Sequence, residues 1–202
     1  MKKNFNQNSP CIDFQCPRDP IDYLSTTDTT TIYDVAVLAH CIWYFANPSI
    51  LLATLRTVAT RAKRVYLAEW ALSASNPAGF AHVLAVLAMA SLECRKTESH
   101  ANVRTVISPQ RLKDLAQEAG LTLDSEFTIT PPHGKQGMRD AEWEIGHALT
   151  DNYAKKVETF VENERERSVV SALLDATRAH APRNLEGVPT MDVWSGLFNG
   201  KT

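Results

Sequence analysis

The sequence predicts an α/β fold with a parallel sheet, and three observations carry that expectation. Residues 33–39 (YDVAVLA) run continuously apolar after one acid, as in a strand buried on both faces beneath helices. Residues 65–68 (VYLA) form a second short apolar run, ending in Glu69 and Trp70. A helix with clear start and stop signals lies between them. Strand, helix and strand thus fall within about 35 residues, the span of a right-handed βαβ unit.

The connecting helix begins at Asn47-Pro48, an N-cap followed by proline at the first helical position. Ile50, Leu51, Leu55, Val58 and Ala62 supply its apolar face, and Arg61, Lys63 and Arg64 suit the dipole at its C-terminus. Upstream, residues 1–10 read as a disordered lead-in and CIDFQ (11–15) as a short strand stopped by Pro17 and Asp19-Pro20. Residues 25–31 are almost all Ser, Thr and Asp, a loop composition. Downstream, helices are expected over 77–95, from Ser108-Pro109 to a stop at Gly120, over 142–150 and over 153–180. LDSEFTIT (123–130) alternates like a strand with one wetter face. Residues 131–137 are turn-rich, and residues 189–198 (PTMDVWSGLF) suit a last strand. Residues 11–202 are expected to form a single domain, with no internal repeat.

Totals exclude several functions. A chain of 202 residues is long enough for one substantial core. Its 44% apolar and 22% charged content is that of a globular protein rather than a disordered one. A net charge of -2 and a pI near 6.3 give no electrostatic footprint for nucleic acid or an acidic membrane. Cys11, Cys16, Cys41 and Cys94 form neither a CxxC pair nor a zinc spacing, so no metal is expected. The N-terminus MKKNFNQNSP lacks the apolar core of a signal peptide, and a cytoplasmic location with reduced thiols is the expectation.

In parallel α/β sheets, ligands bind beyond the carboxyl ends of the strands. His40, Trp43 and Tyr44 follow one such end, and Glu69 and Trp70 mark the next. These residues are expected to line one shared cavity, with His40, Tyr44 and Glu69 as the candidates for proton handling. Each also has a plainer reading: His40 as a hydrogen-bonded structural residue, Trp43 and Trp70 as packing. Asn102 and Arg104, in the polar ANVRT loop, are candidates to bind substrate, with pairing to a nearby acid as the alternative for Arg104.

YDVAVLAHCIWYF, RVYLAEWAL, ESHANVRTVISPQRLKDLAQEAG and DAEWEIGHAL, in this order, resemble the later part of small class I, Rossmann-like S-adenosylmethionine-dependent methyltransferases. More narrowly, they resemble a microbial and fungal small-molecule type, which implies a place in secondary metabolism. The resemblance runs from about Ile12 to the C-terminus. It implies a seven-stranded sheet of order 3-2-1-4-5-7-6, helices on both faces and a final antiparallel strand pair. On that reading CIDFQ is strand three, YDVAVLAH strand four, RVYLAEW strand five, and LDSEFTIT and MDVWSGLF the final hairpin. It places Asp19 near the adenine of S-adenosyl-L-methionine and His40 beside the methionine part or the substrate.

One feature of the family is missing. Its first strand is followed by a glycine-rich turn, yet no glycine precedes Gly79 here. The residues ahead of Tyr33 are too few for two complete strand–helix units before strand three. The expectation is therefore a partial methyltransferase-like sheet lacking its first two strands, the C-terminal two-thirds of the family fold, with weak or no cofactor binding. YDVAVLAH would then present an exposed edge, inviting a protein partner or self-association. The function implied is methylation of an O or N nucleophile on a small-molecule acceptor. The alternative is a catalytically inactive methyltransferase-like subunit that binds or regulates a partner.

Overall fold

The computed structural model describes residues 18–28, 30–131 and 139–201. The expected lead-in, the CIDFQ strand, Cys11, Cys16 and most of the 131–137 turn lie outside these residues.

Asp19 starts the first described helix, α1 (Pro20–Thr26), its Oδ1 accepting from the backbone N–H of Ile21 at 2.8 Å and Asp22 at 3.2 Å. Strand β1 (Tyr33–Ala39) follows, then a 3-10 turn at Ile42–Tyr44. Helix α2 (Pro48–Ala59) starts as expected, with Asn47 Oδ1 accepting from Ile50 N–H at 3.0 Å, and leads into β2 (Ala62–Trp70). Arg61 locks this unit together. Its buried guanidinium donates to the carbonyls of Leu24, Asp28 and Thr31, tying the end of α1 to the start of β2.

A 3-10 turn at Pro77–Gly79 then opens α3 (Phe80–Glu93). The remaining elements are α4 (Pro109–Glu118), β3 (Thr122–Ile129), α5 (Asp140–Ala148), α6 (Asp151–Phe160), α7 (Glu164–His180) and β4 (Val193–Asn199). The long helix expected over 153–180 is two helices. Val161 turns the chain to extended backbone (φ -109°, ψ 91°), and Asn163 caps α7 by accepting from Arg165 and Glu166 N–H. The periodicity continued across the break and concealed the cap.

The sheet order is β1-β2-β4-β3, with β1 and β2 parallel and β4 antiparallel to both its neighbours. This is the 4-5-7-6 arrangement that the resemblance implies for the last strands. Register assigns the side chains to two faces. Leu38, Val65, Leu67, Trp194 and Phe198 share one face and are buried; α2 packs on β2 and α4 on β3. Val35, Val37, Tyr66, Trp70, Leu197, Phe127 and Ile129 share the other. Near the strand carboxyl ends this second face is closed, with His82 of α3 against Trp70 at 5.0 Å between ring centroids. Farther down it is bare: Val35 is 50% exposed, Val37 62% and Phe127 50%.

Three expectations are thus corrected. Helices cover one face over β1, β2 and β4 and the other only in part. Strand β1 is not buried on both faces, because nothing among the described residues lies over Val35 and Val37 or beside its outer edge. Strand β3 has no dry face, being an edge exposed along its whole length. Among the described residues, no helix is long and apolar enough to cross a membrane.

Candidate functional site

The carboxyl ends of β1 and β2 enclose a cavity of about 210 Å³, lined by His40, Trp43, Tyr44, Glu69, Trp70, Asn102, Val103, Asp140, Trp143 and Glu144. Both strands end in left-handed backbone close by, at His40 (φ 49°) and Leu72 (φ 56°). This region is uncommon for residues other than glycine and turns the chain sharply out of the sheet. At His40 the turn is secured by its own N–H, which donates to Ala68 O at 2.9 Å. The imidazole lies edge-on to Trp70 (4.7 Å), with Nδ1 3.6 Å from Glu69 Oε1.

Glu69 is buried, and both its oxygens are engaged by backbone. Oε2 accepts from Ile42 N–H and Oε1 from Trp70 N–H, each at 3.0 Å. It therefore ties the turn after β1 to the end of β2. Trp43 is the floor: its Nε1–H donates to Ile107 O at 3.2 Å, and its carbonyl accepts from Arg104 and Thr105 N–H. That pins the 101–107 loop over the cavity and places Asn102 in its wall. Burial, reinforced by Asp140, Glu69 and Glu144, pushes the Tyr44 phenol above its ordinary range, so Tyr44 is a hydrogen-bond donor at neutral pH. Burial and then Glu69 likewise push up the Cys41 thiol.

His40, Trp43, Tyr44, Glu69, Trp70 and Asn102 thus meet in one cavity. Arg104 does not join them. Its Nε–H donates to Ala101 O at 3.0 Å, and it lines a separate, larger cleft of about 540 Å³ that shares no lining residue with the cavity. No acid pairs with Arg104 among the described residues. Asp19 is exposed, its carboxylate engaged as the helix cap, and it does not line the cavity.

Sequence reasoning missed Asp140, Trp143, Glu144 and, behind them, His82. The signal was present: Asp140, Trp143 and Glu144 stand at i, i+3 and i+4 of a helical segment and so share a face. His82 is fully buried on α3 and bonds Glu144 through Nε2, while its Nδ1 accepts from Met191 N–H at 3.1 Å. The backbone donor at Nδ1 leaves the imidazole proton on Nε2, so His82 donates to Glu144. No metal-binding cluster of His, Cys, Asp or Glu occurs among the described residues.

No family model matches the chain. Methyltransferase phomM of the fungus Diaporthe leptostromiformis is 28% identical over 186 residues, covering 80% of this chain and 47% of that protein. Methyltransferase phomM' of the same organism matches to the same extent. A cyclopropane-fatty-acyl-phospholipid synthase-like protein from Lactobacillus casei shares the fold, with a TM-score of 0.69 and 22% identity over 90% of this chain and 61% of that one. The chain is thus similar to two fungal methyltransferases and shares the fold of the synthase-like protein. It spans about half the length of the curated relatives it matches.

The glycine-rich turn expected to hold S-adenosylmethionine is not found among the described residues ahead of Gly79. Residues 18–78 hold no glycine, so no glycine turn flanks β1 or the cavity on that side. Gly79 serves close packing of the α3 entry instead, since a Cβ there would come within 2.5 Å of Thr190 O.

Proposed function

We propose that the chain is the acceptor-binding part of an S-adenosylmethionine-dependent methyltransferase-like protein acting on an oxygen or nitrogen nucleophile of a small molecule. The observation that carries this reading is the aromatic cavity at the carboxyl ends of two neighbouring parallel strands, where α/β sheets place ligands. Similarity to fungal methyltransferases supports the reaction class. His40 is the group that takes the acceptor's proton, aimed by its left-handed backbone and steadied against Trp70. Tyr44 donates a hydrogen bond to the acceptor, and Glu69 holds both strand ends in place. Trp43, Trp70 and Asn102 shape the pocket, while Arg104 contacts only the part of an acceptor that reaches the neighbouring cleft. Asp19 contributes at most one contact to the cofactor, and a chain without a glycine-rich turn binds it weakly or not at all.

A second reading is a catalytically inactive methyltransferase-like subunit that regulates a protein partner, which the open edge of β1 and the exposed Val35 and Val37 favour. Radiolabelled methyl transfer separates the two. The chain is incubated with methyl-labelled S-adenosylmethionine and small amine or alcohol acceptors, alone and joined to an upstream strand with a glycine-rich turn. The first reading expects no transfer by the chain alone and transfer by the extended protein. Transfer by the chain alone contradicts the cofactor part of it, and an inert extended protein favours the second.

A further inference from the structure

The charge of the cavity is one-sided. Glu69, Asp140 and Glu144 all line it, and no lysine or arginine does so among the described residues. The three carboxylates are not equivalent. Both oxygens of Glu69 are bonded to backbone N–H. Glu144, although more than nine-tenths buried, has only Oε2 bonded, to His82. Its Oε1 takes no hydrogen bond among the described residues and keeps solvent contact, and the residue lines the cavity. Because Met191 N–H occupies the other imidazole nitrogen, His82 engages Glu144 through Nε2 alone and leaves Oε1 to the cavity side. A carboxylate oxygen open to a narrow cavity is well placed to meet a cation or a hydrogen-bond donor. Asp140, exposed at the first turn of the same helix, adds a second charge at the mouth.

The other walls suit the same ligand. Trp43, Trp70 and Trp143 present indole rings around the cavity. Trp143 is 56% exposed and held in place by stacking on His147, with 5.3 Å between centroids and a 3° interplanar angle. Ring faces attract cations, most strongly for tryptophan. Burial first, and then Asp140, Glu69 and Glu144, push up the Tyr44 phenol, so these carboxylates act on a group within the same pocket.

We propose that this cavity binds an organic ammonium ion, a small arylalkylamine or related basic amine, with Glu144 and Asp140 meeting the charge and the tryptophans the carbon skeleton. This deepens the acceptor reading above and rests on it only in calling the ligand an acceptor; binding itself requires no cofactor.

The test is direct titration of the chain without cofactor, followed by tryptophan fluorescence, since three of its four tryptophans line the cavity. The probes are phenethylamine, cationic at neutral pH, 2-phenylethanol as the neutral analogue of similar shape, and 3-phenylpropanoate as the anion. The amine is expected to bind at least about tenfold more tightly than the alcohol, and the anion not at all. Glu144→Gln keeps the shape and is expected to erase most of that preference; Asp140→Asn, at an exposed site that does not threaten folding, to reduce it about threefold. Equal binding of amine and alcohol, or preference unchanged in both variants, would overturn the proposal. Cation-selective binding together with an inert extended protein in the methyl-transfer assay would leave the ammonium site standing and remove the acceptor reading.

Discussion

The two faces of the sheet are made of similar residues and meet different surroundings. On one, Val65, Leu67 and Phe198 are fully buried beneath α2 and α4, and the margin is closed by polar contacts. There Glu126 accepts from Trp194 Nε1–H at 2.8 Å and pairs with Lys113 of α4 at 3.2 Å. On the other, Val35, Val37, Phe127 and Ile129 are as apolar and stand exposed. The two edges differ in the same way. Strand β3 carries a register shift between Leu123 and Ser125, with Asp124 paired to Arg64, devices that blunt an edge against further pairing. Strand β1 carries a charged pair too, Asp34 with Lys63 at 2.7 Å, but no such shift, and its valines stand bare. Both edges carry a charged pair, and only β3 adds the register shift.

The sharpest way to break this comparison is to make parallel truncations on the two faces. Leu67→Ala, on the covered face, is expected to cost about 3 kcal/mol in chemical denaturation, because α2 cannot collapse fully into the space. Val37→Thr, on the bare face of the strand next to it, is expected to change stability by less than about 0.5 kcal/mol. Comparable losses at both sites would mean that the bare face is covered in solution.

A smaller effect is expected at the polar margin. The Trp194 indole, and then Lys113, hold the Glu126 carboxyl below its ordinary range. A depressed carboxyl stabilises the fold above its unfolded value, about 4.5, and that contribution fades as pH falls through the lowered native value. Glu126→Gln is expected to lose about 0.5–1 kcal/mol at pH 7 and to show a shallower acid decline below about pH 4.5. An unchanged acid limb in denaturation curves would remove this ion pair from the account. The smallest effect on stability falls at the open edge. Val35→Lys with Val37→Lys is expected to leave the unfolding midpoint nearly unchanged while lowering self-association in sedimentation velocity. A large drop in midpoint with no change in association would show the face to be core.

Much of this architecture was legible in the sequence. Asn47-Pro48 and Ser108-Pro109 marked helix starts because capping and a fixed proline φ act locally. The apolar runs at β1 and β2 identified parallel neighbours, and so the shared cavity of His40, Trp43, Tyr44, Glu69 and Trp70. Illegible were features set by tertiary context. An apolar strand reads the same whether or not its outer face is covered, so Val35 and Val37 gave no warning. The role of Glu69 as a backbone clamp depends on Ile42 lying across from it. Glu144 drew no attention because its partners, His82 and through it Met191, are distant in sequence.

The central claim is that these residues form an acceptor wall without a cofactor cradle. Isothermal titration of the chain with S-adenosylmethionine, and with its demethylated product, tests it most directly. The expected result is no measurable heat of binding up to about millimolar ligand, since losing a set of backbone donors costs several kcal/mol, or about three orders of magnitude in affinity. Micromolar binding to the 202-residue chain would contradict it, and would show that its own residues supply the missing side of the site.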